Sequence, residues 1–322
     1  MKIKKLLIII LILLSTVPIV ISHLLIYSKE KALLQNNIII KLNEIATVQH
    51  KRIQQLLKSK KESVSLIASR TELSVLTKQF QKNNSAKSLS NILKILDEAK
   101  SSAISIKSLS VFSIQQKIIA STDLTAQMRP HVFNKISEEK QHSSNIQISR
   151  DKNDQLIIDF IKQLYINDQH IGYISVEFFN AELIKILSDY TGLGNTGEMV
   201  LAGKDNEGNT QFLTSIRHNK DVDFNIPLPK NKLDIITSAM KGESAILQNH
   251  FDYRSMPVLA ISRHIPEVDW GMIVKIDHQE AFKQLGDLQN LIIALVVVFM
   301  ALAVVVSLLV GKKLSEPLVT LE

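Results

Sequence analysis

The chain has 322 residues, 38 basic against 31 acidic, a net charge of +7 and no cysteine. Without cysteine there are no disulfides, zinc–thiolate centres or thiol nucleophiles. The positive excess is mild and interspersed with acidic residues, too weak to mark a nucleic-acid-binding protein.

Residues 1–5 carry Lys2, Lys4 and Lys5, and residues 6–27 are an apolar stretch. A bilayer core of about 30 Å needs roughly 20 helical residues to cross it. Signal-peptide cores are shorter and end in a small-residue cleavage site. This stretch runs into Tyr27-Ser28-Lys29-Glu30 with no Ala-x-Ala, so it reads as a retained transmembrane helix. Pro18 inside it is tolerable in a membrane, where neighbouring groups re-satisfy the freed carbonyl. Residues 28–69 hold neither proline nor glycine. Ile38, Leu42 and Ile45, then Ile53, Leu57, Val64 and Ile67, form a helical stripe with one shift of phase. This predicts a long amphipathic stalk helix. Its apolar face has two readings, packing on its own domain or on a second copy of the chain.

A first module, 70–182, follows. Asn83-Asn84-Ser85 breaks the helical pattern, and a helix is expected at 88–100. The period then shortens. Ile104, Ile106, Leu109, Val111 and Phe112 read as β, Gln115-Gln116-Lys117 as a turn and 118–121 as a strand. A short helix at 131–140 precedes strands at 155–165 and 171–179, joined by the polar Asn167-Asp168-Gln169-His170. A helix at 181–190 leads into a second module, 183–290. Its expected elements are a strand at 198–202, a turn at Asp205-Asn206-Glu207-Gly208, a strand at 212–216, a helix at 232–240 and strands at 257–264 and 270–277. A helix from about 279 continues into a second apolar stretch, 291–310, followed by Lys312 and Lys313. Positive flanks favour the cytoplasmic side, so both termini read as cytoplasmic and the middle as outside. The fold class is α+β: two tandem modules on a long N-terminal helix, flanked by two transmembrane helices.

Gly192-Leu193-Gly194-Asn195-Thr196-Gly197 matches the G-x-G-x-x-G pattern of dinucleotide-binding folds. That fingerprint needs a strand before the glycines and a helix after them. Here the order is reversed, and a helix-to-strand turn is the better reading. The nine histidines show no H-E-x-x-H and no i, i+4 pair. The Ser-x-His and Ser-x-x-His neighbours at Ser262 and Ser215 are not triads by sequence proximity alone. No catalysis, cofactor or metal is expected.

The same glycine turn carries a family resemblance. Thr191 to Glu198 resembles the GLGxTGE signature of double-Cache sensor domains. Asp252-Tyr253-Arg254 with Pro257-Val258-Leu259-Ala260, the 263–276 stretch with Pro266, Trp270 and Gly271, and Glu280-Ala281-Phe282 also match. Leu213-Thr214 with Arg217 is a weaker match. Residues 70–182 are similar in layout only, with Ile119-Ala120-Ser121-Thr122 and Ile171-Gly172-Tyr173 as local echoes. One departure is Ser255, where the family usually has glycine. The resemblance implies two stacked PAS-like modules, the membrane-distal one binding a small extracellular ligand, with the signal leaving through the second span. The amino-acid-binding subset carries Arg-x-Trp-Tyr in the distal module. The only tryptophan here is Trp270, so an amino-acid ligand is not favoured.

Residues 311–322, with Lys313-Leu314-Ser315-Glu316-Pro317-Leu318 and Leu321, resemble the opening of a HAMP linker. This implies a homodimeric receptor of the bacterial inner membrane whose output, of histidine kinase, diguanylate cyclase or chemotaxis type, lies beyond this chain. The competing reading is a membrane-tethered binding or scaffold protein without output. Four residues are candidate ligand contacts. Asp159 lies in an apolar strand between Ile158 and Phe160, where a carboxylate needs a partner or a solvated cavity. Tyr165 shares its face by strand alternation. Asp123 follows the 118–121 strand, as turn, cap or pocket residue. Arg129, beside Pro130, is either an anion grip or an exposed basic residue.

Overall fold

The structure, a computed structural model, describes residues 2–123, 144–150, 156–204, 209–213, 216–218, 234–242 and 244–319. Its spine is α1 (Lys2–Ala68), a single 67-residue helix that passes through Pro18 without a break. Ile39, Leu42, Ala46, Ile53, Leu57, Val64 and Ile67 form its buried stripe. Ile38 and Ile45 pack at the margin of the same core.

After α1 come α2 (Thr71–Asn83) and α3 (Ala86–Ser102). Asn84 closes α2 in the left-handed conformation, at φ 50°, its N–H donating to Phe80 O. The Ser85 hydroxyl then caps α3 by accepting from Ser88 N. The first sheet contains β1 (Ile106–Ser113), β2 (Ile118–Ser121), β3 (Ser144–Arg150), β4 (Leu156–Ile166) and β5 (Gln169–Phe179). Asn167 and Asp168, at φ 45° and 62°, make the two-residue turn between β4 and β5. This is the twist that hairpins prefer and that Asn and Asp tolerate.

Helix α4 (Ala181–Leu187) leads to the second sheet: β6 (Glu198–Lys204), β7 (Thr210–Phe212), β8 (Ile246–Phe251), β9 (Pro257–Ile265) and β10 (Trp270–Asp277), with α5 (Asp234–Met240) inserted. The strand orders are β2-β1-β5-β4-β3 and β7-β6-β10-β9-β8, so the second sheet repeats the topology of the first. All pairings are antiparallel. The α+β expectation therefore holds, on a long N-terminal helix with two sheets.

One face of each sheet is packed on α1. Ile158, Phe160, Leu164, Ile174 and Val176 of the first sheet share a core with Met199, Leu201, Leu259, Ile261 and Met272 of the second. After β10, α6 (His278–Ala281) and α7 (Lys283–Val319) run on without a long connection. Among the described residues one helix is long and apolar enough to cross a membrane, Lys283–Val306. In α1, Ile9, Ile10, Leu13, Leu14, Leu24 and Leu25 are exposed.

The helix expected at 131–140 and the turn at 205–208 lie outside the described residues. The strand expected at 212–216 is shorter and earlier, Thr210–Phe212. The helix expected at 181–190 stops at Leu187.

Trp270 opens β10 and is only 1% exposed, within the core shared with α1. Trp270→Ala should cost about 3 to 5 kcal/mol by loss of burial and by the cavity left behind. Denaturant unfolding followed by circular dichroism measures this. A loss under about 1 kcal/mol would contradict the packing.

Candidate functional site

The face of the first sheet turned away from α1 differs in kind from the core face. Across β4, β5 and β1 it presents Asp159, Glu177 and Ser108 in one register row, then Ile161, Ser175 and Ser110 in the next. These side chains are buried. Asp159 stands directly opposite Glu177, so two carboxylates are roughly 5 Å apart at their Cβ atoms. Like charges placed so are unfavourable unless donors or cations answer them. Two hydroxyls are among the groups that do so. Ser175 donates to Asp159 Oδ1 at 2.7 Å, and Ser108 donates to Glu177 Oε2 at 2.8 Å.

The row reaches the edge strand. Ser110 and Ser121 share a hydrogen bond of 2.8 Å, and the Thr122 N–H donates to Leu109 O at 2.9 Å. That extra rung brings Asp123 level with Ser108, with the Asp123 N–H donating to Ser121 Oγ at 3.1 Å. Three carboxylates, Asp123, Glu177 and Asp159, thus belong to one row interleaved with serine hydroxyls. Such a row offers acceptors to a ligand rich in N–H donors. Among the described residues no group of His, Asp and Glu has the arrangement to hold a metal ion.

The four sequence candidates fall differently. Asp159 and Asp123 stand in the same row. Tyr165 keeps the Asp159 face, since its hydroxyl donates to Gln163 Oε1 at 2.5 Å, but it sits at the hairpin end beside His170. Six residues of strand separate it from Asp159, roughly 20 Å. The structure does not bring the two together. Arg129 lies outside the described residues. Glu177 and Ser175 were missed by sequence reasoning. Glu177 carries the same signal as Asp159, a charge between Val176 and Phe178.

The equivalent face of the second sheet holds a closed ion network. Lys275 Nζ lies 2.6 Å from Glu198 Oε1 and 2.5 Å from Asp252 Oδ2. Tyr253 donates its hydroxyl to Glu198 Oε1 at 2.8 Å, and its ring lies 4.8 Å from the ammonium. Burial, then the Glu198 carboxylate, pushes the Tyr253 hydroxyl pKa far up. Arg254 bridges Asp252 and Asp277 at 2.7 and 2.5 Å. Burial alone would raise Asp252, but the Lys275 ammonium, the Met256 N–H and Arg254 hold it below the usual carboxylate range. Asp252 also organises its own turn, accepting from Arg254 N and Met256 N. Ser255 in that turn has φ 62°, the left-handed region that favours glycine.

The glycine-rich turn holds an anion from its own chain. Asn195 N and Thr196 N donate to the two oxygens of Glu280 at 2.8 and 2.6 Å, and the Thr196 hydroxyl donates to it as well. Gly194, at φ 70°, comes so close that a Cβ there would lie 2.6 Å from Glu280 Oε1. Arg217 ties the turn by donating to Gly194 O and Gly197 O. Burial would raise the Glu280 pKa. The Thr196 hydroxyl, the two N–H groups and Arg217 outweigh it and hold the carboxyl below its ordinary value.

The fold this architecture defines is that of the double-Cache sensory domains. The ligand-binding domain of the Campylobacter jejuni chemoreceptor Tlp3, solved with L-norvaline, superposes with a TM-score of 0.53 at 11% identity, covering 77% of this chain and 94% of that one. The extracellular domain of a histidine kinase, soHK1S-Z6, gives 0.52 at 11% identity over 79% and 99%. The ligand-binding domain of the Pseudomonas fluorescens chemoreceptor CtaA, solved with L-isoleucine, gives 0.50 at 15% identity over 79% and 98%. No family model matches the sequence, and no curated protein is similar to it. At these identities the likeness is one of fold.

The Glu280 clasp predicts a pH dependence. Its carboxyl ionises lower when folded than its ordinary 4.5, so its stabilisation is complete above that value and is lost as pH falls through the folded pKa. Glu280→Gln should lower Tm at neutral pH, and the gap to wild type should close below about pH 4.5. Thermal melts at graded pH test this. A gap that persists unchanged at pH 3 would assign the loss to packing instead.

Proposed function

We propose that this chain is the sensory part of a membrane receptor that binds a small organic cation on the outward face of its first sheet. The observation that carries this reading is the buried pair Asp159 and Glu177 with Ser108 and Ser175 on one sheet face, with the half-buried Asp123 at its edge. The ligand class is a molecule bearing an ammonium group. The Tlp3 and CtaA domains of similar fold were solved with amino acids. The missing Arg-x-Trp-Tyr cluster argues for an amine without the α-carboxylate of those ligands.

In this reading residues 70–182 are the membrane-distal module and 183–290 the proximal one. Residues 6–27 and 291–310 span the bacterial inner membrane, with the modules outside and both ends in the cytoplasm. The first span is supported by the exposed apolar side chains of α1 and the second by Lys283–Val306. Residues 311–322 begin a HAMP linker to an output domain. A second copy packs along α1, where Leu33, Ile40 and Val48 are exposed at spacings near a heptad. The chain itself performs no catalysis.

Two measurements test the reading. Reporter fusions after Asn83 and Glu322 should report opposite compartments, and one shared compartment would refute the two spans. Thermal-shift titration of the chain in detergent with alkylammonium and diamine probes should show stabilisation that matched carboxylates do not give. Asp159→Asn or Glu177→Gln should weaken it roughly 10- to 150-fold, the loss of one hydrogen bond to a charged partner. Equal stabilisation of wild type and both variants would remove these residues from the site.

A further inference from the structure

The two sheets share a strand order, so positions can be matched between them. Glu177 stands two residues before the end of β5, and Lys275 two residues before the end of β10. Glu177 faces Ser108 on β1 and Asp159 on β4. Lys275 faces Glu198 on β6 and Ala260 on β9. Both lie on the face turned away from α1. The same place in the fold holds a carboxylate in the first sheet and an ammonium in the second.

The surroundings of that ammonium are those of a receptor for an alkylammonium ion. Glu198 and Asp252 supply two carboxylate oxygens at 2.6 and 2.5 Å, and Tyr253 supplies a ring face at 4.8 Å. Carboxylates and an aromatic face are the groups that hold an organic cation. Val200, Phe212, Ile236, Ala260 and Ile273 form apolar walls beside it, around a cavity of about 20 Å³. That is room for about one water beside a filled site. The cation is joined to β10 through the lysine side chain and so does not leave.

We propose that the second sheet contains a self-occupied alkylammonium site, in which Lys275 is the resident ligand and Glu198, Asp252 and Tyr253 are its receptor. While the lysine is present the site takes no outside ligand. Cut back to Cβ, it accepts a free primary alkylammonium in the lysine's place. This site stands apart from the ligand row of the first sheet and does not depend on it. Its occupancy also reaches the exit helix, because Asp252 is bridged by Arg254 to Asp277, the residue that precedes α6.

The test is chemical rescue of Lys275→Ala in the full chain in detergent. The variant leaves buried Glu198 without its cation and Asp252 with Arg254 alone, and its Tm should fall by roughly 6 to 20 °C. n-Propylammonium replaces the deleted atoms and at about 50 mM should recover half or more of that loss while shifting wild type hardly at all. Sodium, tetramethylammonium and propionate at equal ionic strength should not. If Lys275→Ala does not fold, Lys275→Ala combined with Asp252→Asn leaves one carboxylate for the added cation, and the same selectivity is expected. No shift specific to propylammonium in whichever variant folds overturns the proposal and makes Lys275 a structural ion pair only.

Discussion

Everything in this molecule depends on one helix face. The stripe from Ile39 to Ile67 on α1 is buried against both sheets and supplies part of the core of each. Burying six side chains of this size contributes on the order of 10 kcal/mol, comparable to the net stability of a whole domain. On the first sheet α2 and α3 add Leu73, Leu76, Ile92, Ile95 and Leu96 to the same core. The two sheets are therefore not beads on a string: a change in the tilt of one against α1 is felt where the other rests on it.

With one face of each sheet committed to α1, variation is left to the opposite face, and there the two sheets part company. The second sheet fills its far face with Val200, Ala202, Val258, Ala260 and Ile273 under α5, and closes its charges internally. The first sheet keeps hydroxyls and carboxylates there, with, among the described residues, a small apolar patch around Phe112 and Ile161. The same strand order thus serves one module with an ion network under an apolar layer and one with serines and carboxylates on its far face. Pairing Lys275 with Glu198 and Asp252 adds little net stability by itself, since desolvation offsets much of the attraction. What it supplies is a single arrangement, fixing Tyr253, Arg254 and Asp277 relative to β10.

Much of this was legible in the sequence, and the misses have physical causes. Strongly alternating central strands such as β5 and β10 were read to within two residues. The strands β3 and β8 were not read at all. Both are sheet edges, paired on one side only; β3 has just Ile146 and Ile148 as apolar residues, and in β8 Leu247 and Phe251 are separated by Gln248-Asn249-His250. Asp159 was found because a charge in an apolar strand is anomalous, and Glu177 and Lys275 carry the same anomaly. Their meaning depends on cross-strand partners, which sequence distance hides: Glu198 and Lys275 meet only because β6 and β10 pair. Tyr165 shares the Asp159 face, as strand alternation predicts, but stands at the hairpin end of β4. The stalk helix expected to run on directly from the first apolar stretch is continuous with it in α1.

The connection from the second sheet to the apolar helix α7 has a geometric property of its own. β10 ends at Asp277, α6 begins at the next residue, and α7 runs from Lys283 to Val319. The clasp of Glu280 in the Asn195-Thr196 turn pins the top of this segment to the sheet. An α-helix advances by about 100° per residue, so within α7 the azimuth of each side chain follows from its distance from Lys283. The length of α7 then sets how far apart in azimuth its two ends stand.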